Sequence, residues 1–448
     1  MGESFQSTRS VPVGEEYDVL VAGAGPSGIL AALGAARMGK KVCLLDQNGS
    51  LGGIGTNGLI SVFMGMTDGA NVLVGNTVRE LVARLEQAGG RGPDVAKDNL
   101  NGAYDVETLK LVYDGMVREA GIGLKLFTKL VDADVEQGLI TGVLVSCGEG
   151  LRFLKSKLFV DASGDAVHSS LAGVPCEAGD REGNTQAPTL GAYYAGVDWD
   201  RYKEFLAGTG QGGSLDKTRR KAYADHAFTV NDYHLPGAWR AGEHVAAINA
   251  GHVFGADVLT SGGLTDAVVE GRKLAQEYLA FYRAYVPGFE NAALVGTGSI
   301  LGVRESRRVV GEYVLSGDDF LARRSFPDEI GRFHYPADVH ESSASLENHE
   351  KFMADFSRNY RYTVPGESYG IPFRSLIPKK IGNLLVAGRC LSADRRMQAS
   401  VRVMPGCFLT GNAAGTAAAM CVSGHVLPRE LNTDSLRAEL KSQGVYLP

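Results

Sequence analysis

The chain has 448 residues, 44% of them hydrophobic and 21% charged, enough for two domains with separate cores and too many for one small scaffold. A formal net charge of −6 excludes the broad basic surface that a large nucleic-acid footprint needs. Six cysteines with no C-x-x-C pair argue against a disulfide framework or an iron–sulfur site; they read as reduced thiols, and no metal-ligand spacing is recognised.

The start of the chain is polar, with no signal-peptide pattern, and Gln6 occupies the position where a myristoylation signal at Gly2 wants Ser or Thr. No apolar stretch is long enough to span a bilayer, so a cytoplasmic protein without membrane contact is expected. Tyr17–Gly23 (YDVLVAG) is an unbroken apolar run, as in a parallel strand buried on both faces. A helix from about Pro26 to Met38 and a second buried strand, Lys41–Asp46 (KVCLLD), complete a strand–helix–strand unit.

Amphipathic helices are predicted near Val78–Ala88 and Val106–Ala120. Strands follow at Leu124–Phe127, Lys129–Val135, Ile140–Ser146 and Leu151–Val160, read as a small antiparallel insertion that leads into FVDASGD (Phe159–Asp165). Between Pro188 and Pro378 the sequence turns aromatic-rich and holds seven of the nine histidines, all but His168 and His425. This segment is assigned to an inserted domain. A buried strand at Asn383–Gly388 and a small-residue helix at Gly411–Met420 return the chain to the first domain, which gives the division 1–187, 188–378 and 379–448.

Gly23-Ala24-Gly25-Pro26-Ser27-Gly28 is a G-x-G-x-x-G segment between strand and helix, the context a dinucleotide-binding turn requires. Gly23 permits the tight turn, Gly25 lets the backbone approach a pyrophosphate, and Gly28 allows close helix–strand packing. Pro26 and Ser27 open a helix whose N-terminus faces the phosphates. Asp46, followed by Gln47, is placed to bind the adenosine ribose. A second match, Gly208–Gly213, follows a helical pattern (Tyr202–Ala207) and is read as a loop, so no separate NAD(P)H domain is expected.

Just past Asp46, the segment with Gly52, Gly53, Gly55, Thr56 and Asn57 resembles the second FAD motif of fumarate-reductase-like and amine-oxidase-like flavoproteins. Val160–Asp165 resembles their A-T-G-D segment, which implies cofactor contacts from Ala162, Gly164 and Asp165. Asn383–Arg389 resembles their late strand–glycine motif, which implies roles for Gly388 and Arg389, with a helix opening near Gly411 aimed at the flavin. Leu301–Arg308, Gly311–Tyr313, Tyr335–His340, Pro372–Pro378 and Val401–Pro405 resemble the FAD-dependent oxidoreductases, a group that includes the flavin subunit of heterodisulfide reductase. The resemblance covers most of the chain and is thinnest from Ala195 to Asn291.

It implies an α/β fold: a Rossmann-type, glutathione-reductase-like FAD-binding domain with an inserted α+β substrate domain. The implied activity is hydride transfer between a small polar organic substrate and flavin N5, by a dehydrogenase or oxidase. A monooxygenase using NAD(P)H and a non-catalytic flavin-binding subunit are the alternatives, and a homo-oligomer or an electron-acceptor protein stays open. Histidine suits the base such chemistry needs. His340 is the first candidate, with Asp338 to orient it; His234 and His226 are weaker ones. Arg304 and Arg402 are candidates to anchor a substrate anion. Ion pairs of Arg304, Arg307 or Arg308 with Glu305 or Glu312 along one helix face are the competing account of that arginine cluster. Tyr369 and the thiols of Cys390 and Cys407 are read as packing.

Overall fold

Valine and leucine dominate the strands at the centre of the computed structural model, which describes residues 8–210, 215–234, 237–355 and 364–448. β1 (Val13–Ala22), α1 (Pro26–Arg37) and β2 (Val42–Leu45) form the expected unit, with Val19–Ala22 parallel to Val42–Leu45. These eight paired residues are at most 2% exposed, as strands covered on both faces must be. α2 (Asn76–Gln87) and α3 (Val106–Glu119) follow; the Asp105 carboxylate caps α3 by accepting the Thr108 N–H. β3 (Gly123–Lys125) lies parallel to β2.

β4 (Lys129–Glu136) and β5 (Leu139–Cys147) pair antiparallel. β6 (Gly150–Asp161) is one long strand that begins antiparallel to β5 and also runs parallel to β1. The antiparallel piece and the FVDASGD strand are therefore parts of a single sheet, ordered β3-β2-β1-β6-β5-β4. In a second, antiparallel sheet, β7 (Ala192–Ala195), β8 (Ala238–Gly242), β9 (Val245–Ile248) and β10 (Ala293–Thr297) take the order β8-β9-β7-β10. α4 (Ser261–Tyr285) joins β7 in an aromatic core with Trp199, Tyr202 and Phe289, and the Tyr194 hydroxyl donates to the Ala275 carbonyl at 2.6 Å. Gly210 ends the helix Trp199–Thr209 in the left-handed conformation, so the second G-x-G-x-x-G match starts at a helix C-terminus; its positions 211–213 lie outside the described residues.

β11 (Glu329–Phe333) and β12 (Tyr369–Pro372) form a hairpin-like pair on either side of α5 (Leu346–Asp355). Buried residues from Val309 to Ile381 share the hydrophobic core of the first sheet. β13 (Leu384–Val386) adds to β6 in parallel, and α6 (Met404–Gly424) packs along α1. The small-residue helix thus begins seven residues before Gly411, since 411 − 404 = 7. Pro405 sits in its first turn, where a missing N–H costs no hydrogen bond, and so opens this helix rather than breaking it.

α1 and α6 touch backbone to backbone. A Cβ on Gly411 would lie 2.1 Å from the Ser27 carbonyl oxygen, and one on Gly415 would lie 1.9 Å from that of Ala31. Gly415→Ala is therefore expected to cost about 3 kcal/mol, the upper part of the overpacking range, because the obstacle is main chain. A thermal midpoint unchanged from wild type would contradict this.

Behind the sheet, His168 is fully buried edge-on against Phe159, and neither ring nitrogen has a hydrogen-bond partner among the described residues. Burial pushes its pKa down to about 4, although the nearby Asp161 opposes the shift. In the unfolded chain an ordinary histidine near 6.5 takes up its proton first, so stability falls as pH drops from about 6.5 to 4, by about 3 kcal/mol in all. His168→Phe should flatten this acid limb in denaturant titrations; an equally steep limb in the variant would contradict the assignment. Among the described residues no helix is long and apolar enough to cross a membrane.

Candidate functional site

The ends of β1 and β6 and the start of α1 meet at one turn. Gly23 has φ +98, and a Cβ there would lie 2.5 Å from the Ala162 carbonyl oxygen. Gly28 has still less room, its Cβ falling 1.7 Å from the Gly23 oxygen. Gly25 differs: nothing lies within 4 Å of its Cβ position. It is the N-cap of α1 without a side-chain cap, so first-turn N–H groups are left for a ligand.

Asp46 closes the turn, with Oδ2 accepting the Ala24 N–H at 2.6 Å and Oδ1 accepting from Asn48. Each oxygen keeps acceptor capacity for a ribose hydroxyl. Opposite, Gly53 approaches so closely that its Cβ would lie 2.9 Å from the Gly25 Cα. Asp161, at the end of β6, shapes the third wall: its carboxylate accepts from the backbone and hydroxyls of Ser163 and Ser169, folding the 162–165 segment around it. Arg389 then clamps that segment, donating from Nε to the Gly164 carbonyl at 2.9 Å and pairing with Asp165 at 2.5 Å.

These walls enclose a cavity of about 430 Å³, to which Gly23, Gly25, Pro26, Ser27, Asp46, Gln47, Gly53, Ala162, Gly164, Asp165 and Arg389 all contribute. Arg304, Tyr335, Asp338, His340 and Arg402 line the same cavity. His340 Nε2 lies 3.2 Å from Asp338 Oδ2, and its Nδ1 lies 2.7 Å from His252 Nε2. His252 Nδ1 in turn lies 2.8 Å from Asp232 Oδ2, which makes a chain Asp338–His340–His252–Asp232. Two neutral imidazoles carry two N–H groups, one fewer than the three links, so the chain has room for one further proton.

Burial, helped by Arg304, holds His340 well below the ordinary histidine range, so the ring is neutral. Burial alone would raise the Asp338 carboxyl; His340 and Arg402 outweigh it and keep the group ionised. Asp232 is likewise buried but held down to about 2 by His252. Arg304 is lowered to about 9 by burial and by Arg402, and stays charged at neutral pH. Its guanidinium is occupied by the Ala187 carbonyl and the Thr189 hydroxyl at 2.7 and 2.9 Å. Arg402 donates to the Asp338 carbonyl at 3.0 Å, but its buried Nε has no partner among the described residues.

The sequence profile of the family described as "FAD dependent oxidoreductase" matches residues 18–440. The chain belongs to that family. No curated protein matches the sequence. Among solved structures it is similar to a geranylgeranyl bacteriochlorophyll reductase-like protein from Thermoplasma acidophilum, with 12% identity and a TM-score of 0.48 over 97% of this chain and 92% of that one. It is also similar to p-nitrophenol 4-monooxygenase from Pseudomonas putida DLL-E4, with 11% identity and a TM-score of 0.49 over 96% and 85% of the two chains. At such identity neither says what this FAD-dependent oxidoreductase acts on.

The residues present fit FAD: the open Cβ position of Gly25, the uncapped start of α1 and the acceptor Asp46 suit a pyrophosphate and a ribose. Other expected contacts of the oxidoreductase fall differently. Thr56 is fully buried and donates to the Leu51 carbonyl at 2.6 Å; Asn57 donates to the Ser50 carbonyl and accepts from its hydroxyl. Both hold their own loop, as polar side chains next to glycine turns often do. Gly52, Gly55, Gly28 and Gly388 are packing positions outside the cavity wall; a Cβ on Gly388 would strike the Ser27 hydroxyl at 2.5 Å.

Gly411 lies within α6, facing α1, and the helix end that reaches the cavity is Met404–Pro405. The arginines near 304 are not on a helix, because Arg307–Val309 is a short strand. Glu305 pairs with Arg308 and with Arg395, and Glu312 pairs with Arg429. Tyr369 is buried against the Ser400 hydroxyl, and His226 is exposed. The sequence reading gave no role to Asp161, although it lies in the Val160–Asp165 segment, nor to Asp232 and His252, which sit in no recognisable motif.

Proposed function

We propose that the enzyme is a dehydrogenase or oxidase of a small anionic substrate, held at Arg402 and deprotonated at His340. The observation that carries this reading is the convergence of Arg402, Asp338 and His340 on the cavity that also holds the Gly25 turn. FAD, when bound, supplies a hydride acceptor. The chain's own groups do the rest. Arg402 lines the cavity and carries the charged donors that a carboxylate needs. The link from His340 to Asp338 is the longest of the three at 3.2 Å, and both residues face the cavity, so a substrate hydroxyl or amine entering there meets Nε2. His252 and Asp232 orient the ring from behind.

The glycine doublet after Asp46 supports the fumarate-reductase-like branch, and we assign the task of covering the substrate to the second sheet within residues 188–378, since the buried residues from Val309 to Ile377 pack into the first core. We further propose a small molecule, not nucleic acid, as partner, with oxygen or an acceptor protein taking the electrons. Rates of anaerobic flavin reduction by hydroxy acids and amino acids, compared with their amides, test the reading. Acids should react with the lower KM, and Arg402→Gln should raise that KM about 10–100-fold, the loss of one charged hydrogen bond. Equal KM for acids and amides would remove Arg402 as the anchor.

A further inference from the structure

Four of the nine histidines gather in one place, although they come from separate stretches of the chain. The His234 ring lies 4.2 Å from that of His340, 5.5 Å from that of His252 and 6.2 Å from that of His349, centroid to centroid. The hydrogen-bonded chain behind the cavity uses two of them, His252 and His340. The remaining two stand with Glu341, the residue after His340. None of His234, Glu341 and His349 lines the cavity.

We propose that His234, His349 and Glu341 form a binding site for one divalent transition-metal ion. One donor atom from each, an imidazole nitrogen or a carboxylate oxygen, lies within 4.8 Å of the others. Zn²⁺ with N and O ligands at about 2.0–2.2 Å needs neighbouring donors roughly 3.5 Å apart, so no gap has to close by more than about 1.3 Å, a small swing of an imidazole. His349 Nδ1 and Glu341 Oε1 are already 2.9 Å apart, as a ligand pair is when the two groups turn to each other without an ion between them.

The three donors are held from three directions. The His234 backbone N–H donates to Asp232 at 3.1 Å, the Glu341 carbonyl accepts the Ala187 N–H at 3.3 Å, and His349 lies in the first turn of α5 with its N–H on the Ser345 carbonyl. All three side chains are partly exposed, so an ion can enter from solvent. Burial, with His252 and Arg304, pushes the His234 ring down to about 4 against the pull of the Asp338 and Glu341 carboxylates, which leaves it neutral. Two imidazoles and one carboxylate leave positions open for water, the donor set of Zn²⁺ or non-haem Fe²⁺ rather than of Ca²⁺ or Mg²⁺. The second triplet around His234 includes Asp338 and His340, which line the cavity and belong to the site already described.

The test is elemental analysis and calorimetric titration of the full-length, FAD-loaded protein with zinc chloride. Wild type and the control His244→Ala should each bind one equivalent. Glu341→Gln and His349→Ala should each lose it, or bind at least 10–100-fold more weakly, the cost even of removing an outer-sphere partner. Their flavin content should stay at the wild-type level, which shows that they fold and separates this result from any failure of the His340 reading. Absence of a bound ion in wild type, or equal zinc affinity in both variants and wild type, would overturn the site.

Discussion

Gly25→Val weakens FAD binding by at least about a hundredfold, or about 2.7 kcal/mol, while leaving the apoprotein's stability within about 0.5 kcal/mol. The asymmetry follows from where the new side chain goes. Beyond its chain neighbours no protein atom lies within 4 Å of the Gly25 Cβ position, and with φ −74 and ψ −173 the residue occupies ordinary extended space, so the added Cβ meets no steric or conformational penalty in the empty protein. It does fill the cavity at the uncapped N-terminus of α1, where a pyrophosphate has to approach the backbone. Gly28→Ala makes the contrast, since its Cβ would overlap the Gly23 carbonyl at 1.7 Å and the fold itself must yield. Flavin titration of the apoprotein together with its thermal midpoint separates the two cases. Wild-type FAD affinity in Gly25→Val would mean that the phosphates lie elsewhere.

The second large effect is on turnover. His340→Gln is expected to slow anaerobic flavin reduction by the substrate about 10²–10⁴-fold, the usual contribution of a positioned general base, with little change in KM. Glutamine keeps a polar group of similar reach, so the His252 and Asp338 contacts can persist without a base among them. His252→Gln should act in the same direction more weakly, because that ring positions His340 and does not line the cavity. A His340→Gln enzyme reduced at the wild-type rate would leave the chain Asp338–His340–His252–Asp232 a structural feature only.

Local signals in the sequence were sufficient for the nucleotide-binding half. The run around Val19–Val21, the glycines at 23, 25 and 28 and the second run ending at Asp46 are contiguous, and each follows from strand period, helix start or backbone space. The helix expected from Gly411 starts instead at Met404, since proline in a first turn is favourable. Thr56 and Asn57 were assigned to the cofactor because their segment resembles an FAD motif, but their partners, Leu51 and Ser50, lie within the same loop. The pairing of Asp338 with His340 was visible at a spacing of two residues. The rest of that chain was not: His252 is 88 residues from His340 in sequence, and no periodicity links the two. The cluster of His234, Glu341 and His349 was hidden for the same reason, since His234 lies about a hundred residues before the other two and no motif links them.

The measurement closest to the central claim is the anaerobic visible spectrum of the FAD-loaded enzyme as small hydroxy acids and amino acids are added, first without and then with NAD(P)H. The account predicts that one of these acids bleaches the flavin with no nicotinamide present. A flavin that stays oxidised with every acid, yet is reduced by NAD(P)H faster when an organic substrate is present, would contradict it and make the enzyme a monooxygenase.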